Sequence, residues 1–227
     1  MHQTIRASAM GWHIHRDAYA AVVLAGSYEE AGDNGRFKVQ AGDVVFHDHF
    51  DGHLNRFPRS GAVVLNLSLN ASDSFVSGVA QTADIDSVVR TARRSKQDAT
   101  ALLIEISQQK GCAALDWPDL LAADLKRTPS LRLGDWADRN GLAPRSVSRG
   151  FFQVFGISPE AFRLRCRTRK ACNAIARQRQ SLSDIAAACG FADQSHMTRS
   201  IRSMTGLRPE QWKDAANGFK TNERSHR

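Results

Sequence analysis

Between Phe46 and His53 the chain reads FHDHFDGH, three histidines and two aspartates within eight residues. Imidazoles and carboxylates are metal-ligating groups, so the stretch raises the question of a metal site. Upstream, His13 and His15 flank Ile14. Residues two apart in a strand point to one face, so both rings can meet a third from a neighbouring strand. Three histidines plus water would suit zinc, nickel or iron. The same residues suit a different arrangement, a polar pocket whose histidines hydrogen-bond one another or a small ligand. His47 and His49 read as loop or pocket-mouth residues, with Asp48 and Asp51 as partners. The run YEEAGD, Tyr28 to Asp33, reads as a solvated hairpin rather than an acid pair.

The scaffold that carries these groups has 227 residues, which suits one large domain or two small ones. Hydrophobic residues make up 42% and charged residues 24%, enough apolar material for a core in each part. No apolar run approaches the about 20 residues that would span a bilayer. The opening MHQTIRASAMGWHIHRD lacks the apolar stretch of a signal peptide. Cys112, Cys166, Cys172 and Cys189 show no C-x-x-C spacing, which predicts buried thiols in a reducing cytosol over a disulfide scaffold. The net charge of +8 is unevenly spread. Residues 1–124 hold 11 Lys and Arg against 15 Asp and Glu; residues 125–227 hold 20 against 8. A second part at +12 predicts a polyanion partner, because clustered cations release counterions condensed on phosphates.

Residues 9–69 contain short β-branched or alternating runs (AYAAVVLAGS, GRFKVQAGDVVFHDHF, GAVVLNLSL) separated by Gly, Asn and Asp, a β pattern. From about Thr82 the apolar spacing becomes three and four, which is helical. KRTPS, Lys126 to Ser130, is the linker candidate, and a nearly all-helical segment follows. That segment repeats itself. SRGFFQVFGISPEAFR (148–163) aligns with TRSIRSMTGLRPEQWK (198–213) at an offset of 50, and LGDWADRNGL (133–142) with LSDIAAACGF (182–191) at 49. Two copies of one supersecondary unit are implied.

Each copy reads as helix, tight turn, helix. Leu133, Trp136 and Ala137, or Leu182, Ile185 and Ala186, form the apolar face, and Gly141 or Gly190 supplies a left-handed turn. This is the helix-turn-helix layout, whose second helix enters the DNA major groove. Arg145, Ser148, Arg149 and Gln153 share one side of the first such helix; Gln194, Ser195, Thr198 and Arg199 are their counterparts. Arg forks onto guanine O6 and N7, Gln pairs with adenine, and Ser or Thr reaches base edges or phosphates. Between the copies lies FRLRCRTRKACNAIARQRQ (162–180), a basic helix carrying Arg163, Arg165, Arg167, Arg169 and Lys170. At 1.5 Å per residue its about 27 Å would hold two helices in successive major grooves about 34 Å apart.

Residues 183–213 resemble the signature of the AraC family of bacterial transcription regulators. The Gly-Phe-x-x-x-Ser-x-x-x-Arg pattern is present as Gly190, Phe191, Ser195 and Arg199, and Gly-x-x-Pro as Gly206 and Pro209. Met197 and Ile201 depart from the Phe that the family often shows at both positions, a change in core packing and not in the polar face. The stretch from about Leu131 to Ala176 is similar to the rest of that DNA-binding domain. The resemblance implies seven helices contacting two adjacent major-groove segments. It also implies a sensor with the cupin pattern in the first part. His13-Ile14-His15, Tyr19 in place of the usual Glu, Gly26, and Gly42 followed by His53 fall on its spacings, so His13, His15, Tyr19 and His53 would line the pocket.

The expected fold is therefore α+β: a cupin-like barrel over 1–78, a helical connector over 79–125, a DNA-binding domain over 126–217 and a tail over 218–227. The connector could serve dimerisation, with Leu102, Leu103 and Ile106 exposed on one face, or could cover the barrel. The expected protein is a cytoplasmic transcription activator or repressor and not an enzyme. Its partners would be double-stranded promoter DNA, a small-molecule effector, a second copy in a homodimer and RNA polymerase, with no membrane contact. No resident cofactor is expected. The alternative is a metal-dependent cupin enzyme or metal-responsive regulator built on His13, His15 and His53.

Overall fold

The computed structural model describes residues 3–6, 8–70, 73–111, 116–128, 130–177 and 180–221, with side chains described up to 216 in the last helix. Cys112, Pro129 of the expected linker, and the end of the expected tail (222–227) lie outside the described residues. The chain divides into two compact units, 1–115 and 116–227.

The first unit runs β1 (Gln3–Ile5), β2 (Ser8–Ile14), β3 (Tyr19–Gly32), β4 (Gly35–Gln40), β5 (Asp43–His47), β6 (Gly52–Phe57), β7 (Ala62–Ser68), β8 (Gly78–Thr82), α1 (Ile85–Ala92), α2 (Lys96–Ile106) and β9 (Ser107–Gln109). Among the described residues every strand pairing is antiparallel. The organising element is β3, whose first half lies between β7 and β5 and whose second half lies between β4 and β6. Two features let one strand serve two layers. A bulge falls between Val23 and Ala25, which adds local twist. Gly26 then takes φ 74° against Gly61, whose carbonyl oxygen would collide with any Cβ there.

The first half of β3 alternates its apolar residues between two cores, which explains the unbroken apolar run AYAAVV. Ala20 and Val22 point to a core shared with Phe46, Leu67, Val88, Ala99 and Leu103, under α1 and α2. Ala21 and Val23 point the other way, to Tyr28, Phe37, Val39, Val45 and Phe57 between the two layers. The expected barrel is not closed. The strand order ends on β1 and β9, three residues each, too short for a ladder that would join the edges. The expected exposed face of Leu102, Leu103 and Ile106 is also corrected: Leu103 is fully buried and the other two pack on the same core, because α2 covers the sheet.

The second unit consists of α3 (Trp117–Arg127), α4 (Leu133–Arg139), α5 (Pro144–Phe155), α6 (Pro159–Arg177), α7 (Leu182–Ala188), α8 (Gln194–Thr205) and α9 (Pro209–Thr221). The unit boundary divides the expected 79–125 connector. α1 and α2 pack in the first unit, while α3 buries Leu121 and Leu125 in the second and its Asp124 accepts a 2.9 Å hydrogen bond from Trp136 Nε1.

The sequence repeat is a repeat of hydrogen bonds. After α4, Leu142 N–H donates to Ala137 O (2.9 Å) across Gly141 at φ 64°. After α7, Phe191 N–H donates to Ala186 O (2.9 Å) across Gly190 at φ 77°. Each is a six-residue closure that satisfies end carbonyls of the helix. The second helices end alike, on Gly156 and Gly206, which donate over 2.8 Å to Phe152 O and Arg202 O. α6 is the shared spine. Phe162 at its start packs on Phe151 and Phe155, and Ala171, Cys172 and Ile175 near its end pack on Ile185, Met197 and Ile201. Full burial of each large apolar side chain contributes about 1.5–3 kcal/mol, so both hairpins are held chiefly through this one helix.

Candidate nucleic-acid interface and histidine pocket

In the first hairpin, α5 buries Val147, Phe151 and Phe155, which leaves Arg145, Ser148, Arg149 and Gln153 exposed on the opposite side. In the second, α8 buries Met197, Ser200, Ile201 and Thr205; Gln194, Ser195 and Arg199 are exposed and Thr198 is half-buried. Asp193 caps α8 by accepting from His196 N–H at 2.7 Å, which sets the first turn from which Gln194 and Ser195 project. All eight sequence-predicted residues therefore lie on the second helices of the two hairpins.

The basic spine divides its cations between tasks. Arg163 donates to the Leu131 carbonyl at 2.8 Å and so ties α6 to the segment before α4. Arg165, Arg167 and Arg169 are half-buried, and burial beside Arg163 lowers the pKa of Arg167. Lys170 and Arg177 are exposed; with Asn173 they line one cleft beside α7.

In the first unit FHDHFDGH spans the end of β5, a turn and the start of β6. Its members have separate tasks. Asp51 is buried and organises the turn, accepting from Asp48 N–H (2.9 Å) and Asn34 Nδ2 (2.7 Å). His49 donates Nδ1–H to the Arg16 carbonyl at 3.0 Å. His47 and His53 point inward, at 1% and 3% exposure. His53 sits opposite His13 in the β2–β6 ladder, their ring centres 4.4 Å apart, and 5.3 Å from that of His15. Tyr19 is paired with His47 across β3 and β5, so the two rings stack at 4.5 Å. The four pocket residues expected from the sequence are thus neighbours in space.

Two residues of this pocket went unrecognised in the sequence. His47 is a core residue and not a mouth residue. Glu30, expected on a solvated hairpin, is 2% exposed, with Oε2 at 3.6 Å from His47 Nε2 and Oε1 at 4.0 Å from His53 Nδ1. It shares the inward face of β3 with buried Tyr28 two residues before it, and that period of two was the available signal. Asn55, paired with Glu30 in the β3–β6 ladder, donates to Glu30 Oε2 at 3.3 Å. Gly32 lets β6 come close: a Cβ there would lie 2.5 Å from His53 Cβ.

Electrostatics follow from burial. Removal from water pushes the Glu30 carboxyl up to about 8, helped by nearby Asp51 and opposed by the Asn55 bond. Burial, with the neighbouring rings His15 and His13, holds His47 down to about 3, and His53 falls further for the same kinds of cause. His15 is lowered by burial and by His13. His15, His47 and His53 are thus neutral, beside a carboxyl that burial holds in its protonated form. His13 Nε2, both nitrogens of His47 and His53 Nδ1 are buried without a hydrogen-bond partner, so the expected bonds among the histidines are not formed at these atoms. His13, His15 and His53 have ligand atoms within 4.8 Å of one another, and so do Glu30, His47 and His53. The cavity beside them, lined also by Met10, Tyr19 and Phe57, encloses about 120 Å³.

Two glycine-hinged hairpins on one basic spine define a double helix-turn-helix unit, and comparison with known proteins agrees: a helix-turn-helix domain model matches residues 136–215. The second unit thus carries a helix-turn-helix domain. The chain is 32% identical over 84 residues to the HTH-type transcriptional regulator Rv1931c of Mycobacterium tuberculosis, covering 37% of this chain and 32% of that one. It is 30% identical over 83 residues to the HTH-type transcriptional activator RhaS of Escherichia coli, covering 37% and 30%. The chain thus spans about a third of the length of these curated relatives. Among solved structures, ToxT from Vibrio cholerae is similar over 94% of this chain and 97% of its own at 10% identity, TM-score 0.45. The DNA-binding domain of AdpA, solved with a target DNA, is similar over 47% and 97% at 19% identity, TM-score 0.43. Among the described residues no helix is long and apolar enough to cross a membrane.

Proposed function

We propose that the protein is a cytoplasmic, sequence-specific regulator of transcription that reads double-stranded DNA with α5 and α8. The observation that carries this reading is the pair of hairpins with matching turns, each exposing Arg, Ser or Thr, and Gln on its second helix. α6 has 19 residues, about 28 Å at 1.5 Å each, which suits two helices entering successive major grooves about 34 Å apart. Arg149 and Arg199, the matched pair, are placed at base edges; Ser148, Thr198 and the α6 cations at phosphates.

The first unit is read as a cupin-like sensor, supported by its two antiparallel layers with His13, His15, Tyr19 and His53 around one cavity. At about 120 Å³ that cavity lies below the about 300 Å³ at which drug-sized ligand sites begin, so the effector is an ion or a very small molecule.

The test is fluorescence anisotropy on promoter fragments selected by genome-wide mapping of bound DNA, with random duplexes as the control. Arg149→Ala or Arg199→Ala is expected to cost about 1–3 kcal/mol on the selected sites and to relax sequence preference. Equal binding of selected and random DNA by the unaltered protein would sink the reading.

A further inference from the structure

We propose that Glu30, His47 and His53 together bind a divalent first-row transition-metal ion, in a site whose ligand set omits His13 and His15. Three observations carry it. First, both ring nitrogens of His47 and Nδ1 of His53 are buried with no hydrogen-bond partner. A buried polar group left unpaired costs about 1–3 kcal/mol, and an ion that accepts the lone pair of one His47 nitrogen and of His53 Nδ1 removes that cost at those two atoms. Second, Glu30 is a buried carboxyl to which, among the described residues, no cationic side chain is bonded and the Asn55 amide donates a hydrogen bond. Neutral imidazoles alone would leave both charges of the ion uncompensated in a buried site, whereas Glu30 supplies an anion by releasing its proton as the ion binds. Third, the spacing is close to that of a coordination shell. Metal–nitrogen bonds of about 2.0–2.1 Å place tetrahedral ligand atoms about 3.3 Å apart. Glu30 Oε2 lies 3.6 Å from His47 Nε2, and Oε1 lies 4.0 Å from His53 Nδ1, so small side-chain adjustments close the site.

The other triad shares His53 but has a different character. It carries no carboxylate, His15 is half-buried within reach of water, and His13 Nδ1 already donates to the Gly11 carbonyl at 2.8 Å, which leaves only its Nε2 for an ion. Two imidazoles and one carboxylate suit iron(II), and also zinc or nickel. His53 and Glu30 also border the cavity, which gives the ion its approach and leaves room for water on that side. The site depends on the pocket alone and not on the DNA reading, and its readouts are separate from DNA binding.

The 227-residue chain, stripped with a chelator, is titrated with zinc(II) and cobalt(II), and the loaded wild type is examined by X-ray absorption at the metal edge. One ion per chain is expected, with a shell of two imidazoles and oxygen. Glu30→Gln and His47→Asn are expected to lose at least the about 10–100-fold in affinity that removing an outer-shell partner costs. His13→Ala and His15→Ala are expected to bind as the wild type does, and circular dichroism reports whether each variant folds. If a variant does not fold, the wild-type shell decides. No binding, a shell of three imidazoles, or loss of the ion in the His13 and His15 variants with retention in Glu30→Gln would each overturn the proposal.

Discussion

A methyl group on Gly150 would lie 2.5 Å from Cζ2 of Trp117, on α3. The aligned position in the second repeat, Ser200, carries a buried side chain that donates to the His196 carbonyl. Gly150→Ala is therefore expected to destabilise the second unit by about 1–3 kcal/mol in urea unfolding, the usual cost of overpacking. Trp117→Leu in the same chain should recover part of the loss, since the two residues touch. Absence of recovery in the double variant would show that the cost does not arise at the Trp117 contact. At this scale the sequence was legible where chemistry and spacing coincide, as with His13, His15 and Arg199. It was opaque for Glu30 and His47, whose types are hydrophilic but whose strand faces are set by pairing with β6 and β3. An acid between Tyr28 and Gly32 reads as surface until the partner strand is known.

Among elements, α6 performs two tasks with one set of cations. Arg163 is spent on the Leu131 carbonyl, whereas Lys170 and Arg177 stand exposed on one face. Lys170→Ala and Arg177→Ala are accordingly expected to weaken all duplexes alike, each reducing the salt slope by about 1, with sequence preference intact. A variant that altered preference without changing the slope would move that residue from phosphate to base. The hairpins were the most legible elements in the chain, because helical period, turn glycine and repeat offset are all short-range signals. Gly141 and Gly190 do take the left-handed φ that the sequence demands. β3 was less legible: a fourteen-residue strand serving two layers is set by a bulge and by the close approach of Gly26 to Gly61, contacts between distant segments.

For the molecule as a whole, charge follows the structural division. Residues 1–115 carry 11 Lys and Arg against 12 Asp and Glu, while residues 116–227 carry 20 against 11. The first unit is near neutral and the second is +9. α3 thus brings three acids, Asp116, Asp119 and Asp124, into the basic unit, one of which holds Trp136. A surface that neutralises 6–10 phosphates loses about 10³–10⁵ in affinity between 50 and 200 mM salt, and the full chain is expected to fall in that range when its DNA affinity is measured across salt. A flat dependence would remove the +9 unit as the source of binding. The mixture of sheet and helix was readable from the change of period near Thr82; the boundary between the units was not, because α1 and α2 beyond that point pack on the sheet, and closure of the sheet depends on how far the edge strands extend.

The duplicated turns have one more consequence. Because Ala137 to Leu142 and Ala186 to Phe191 close with the same bond over the same length, the outward residues of α8 can be transplanted onto α5 without disturbing either hinge. On the proposed reading, a chain so altered would carry one reading head twice and is expected to select a direct repeat from random duplexes.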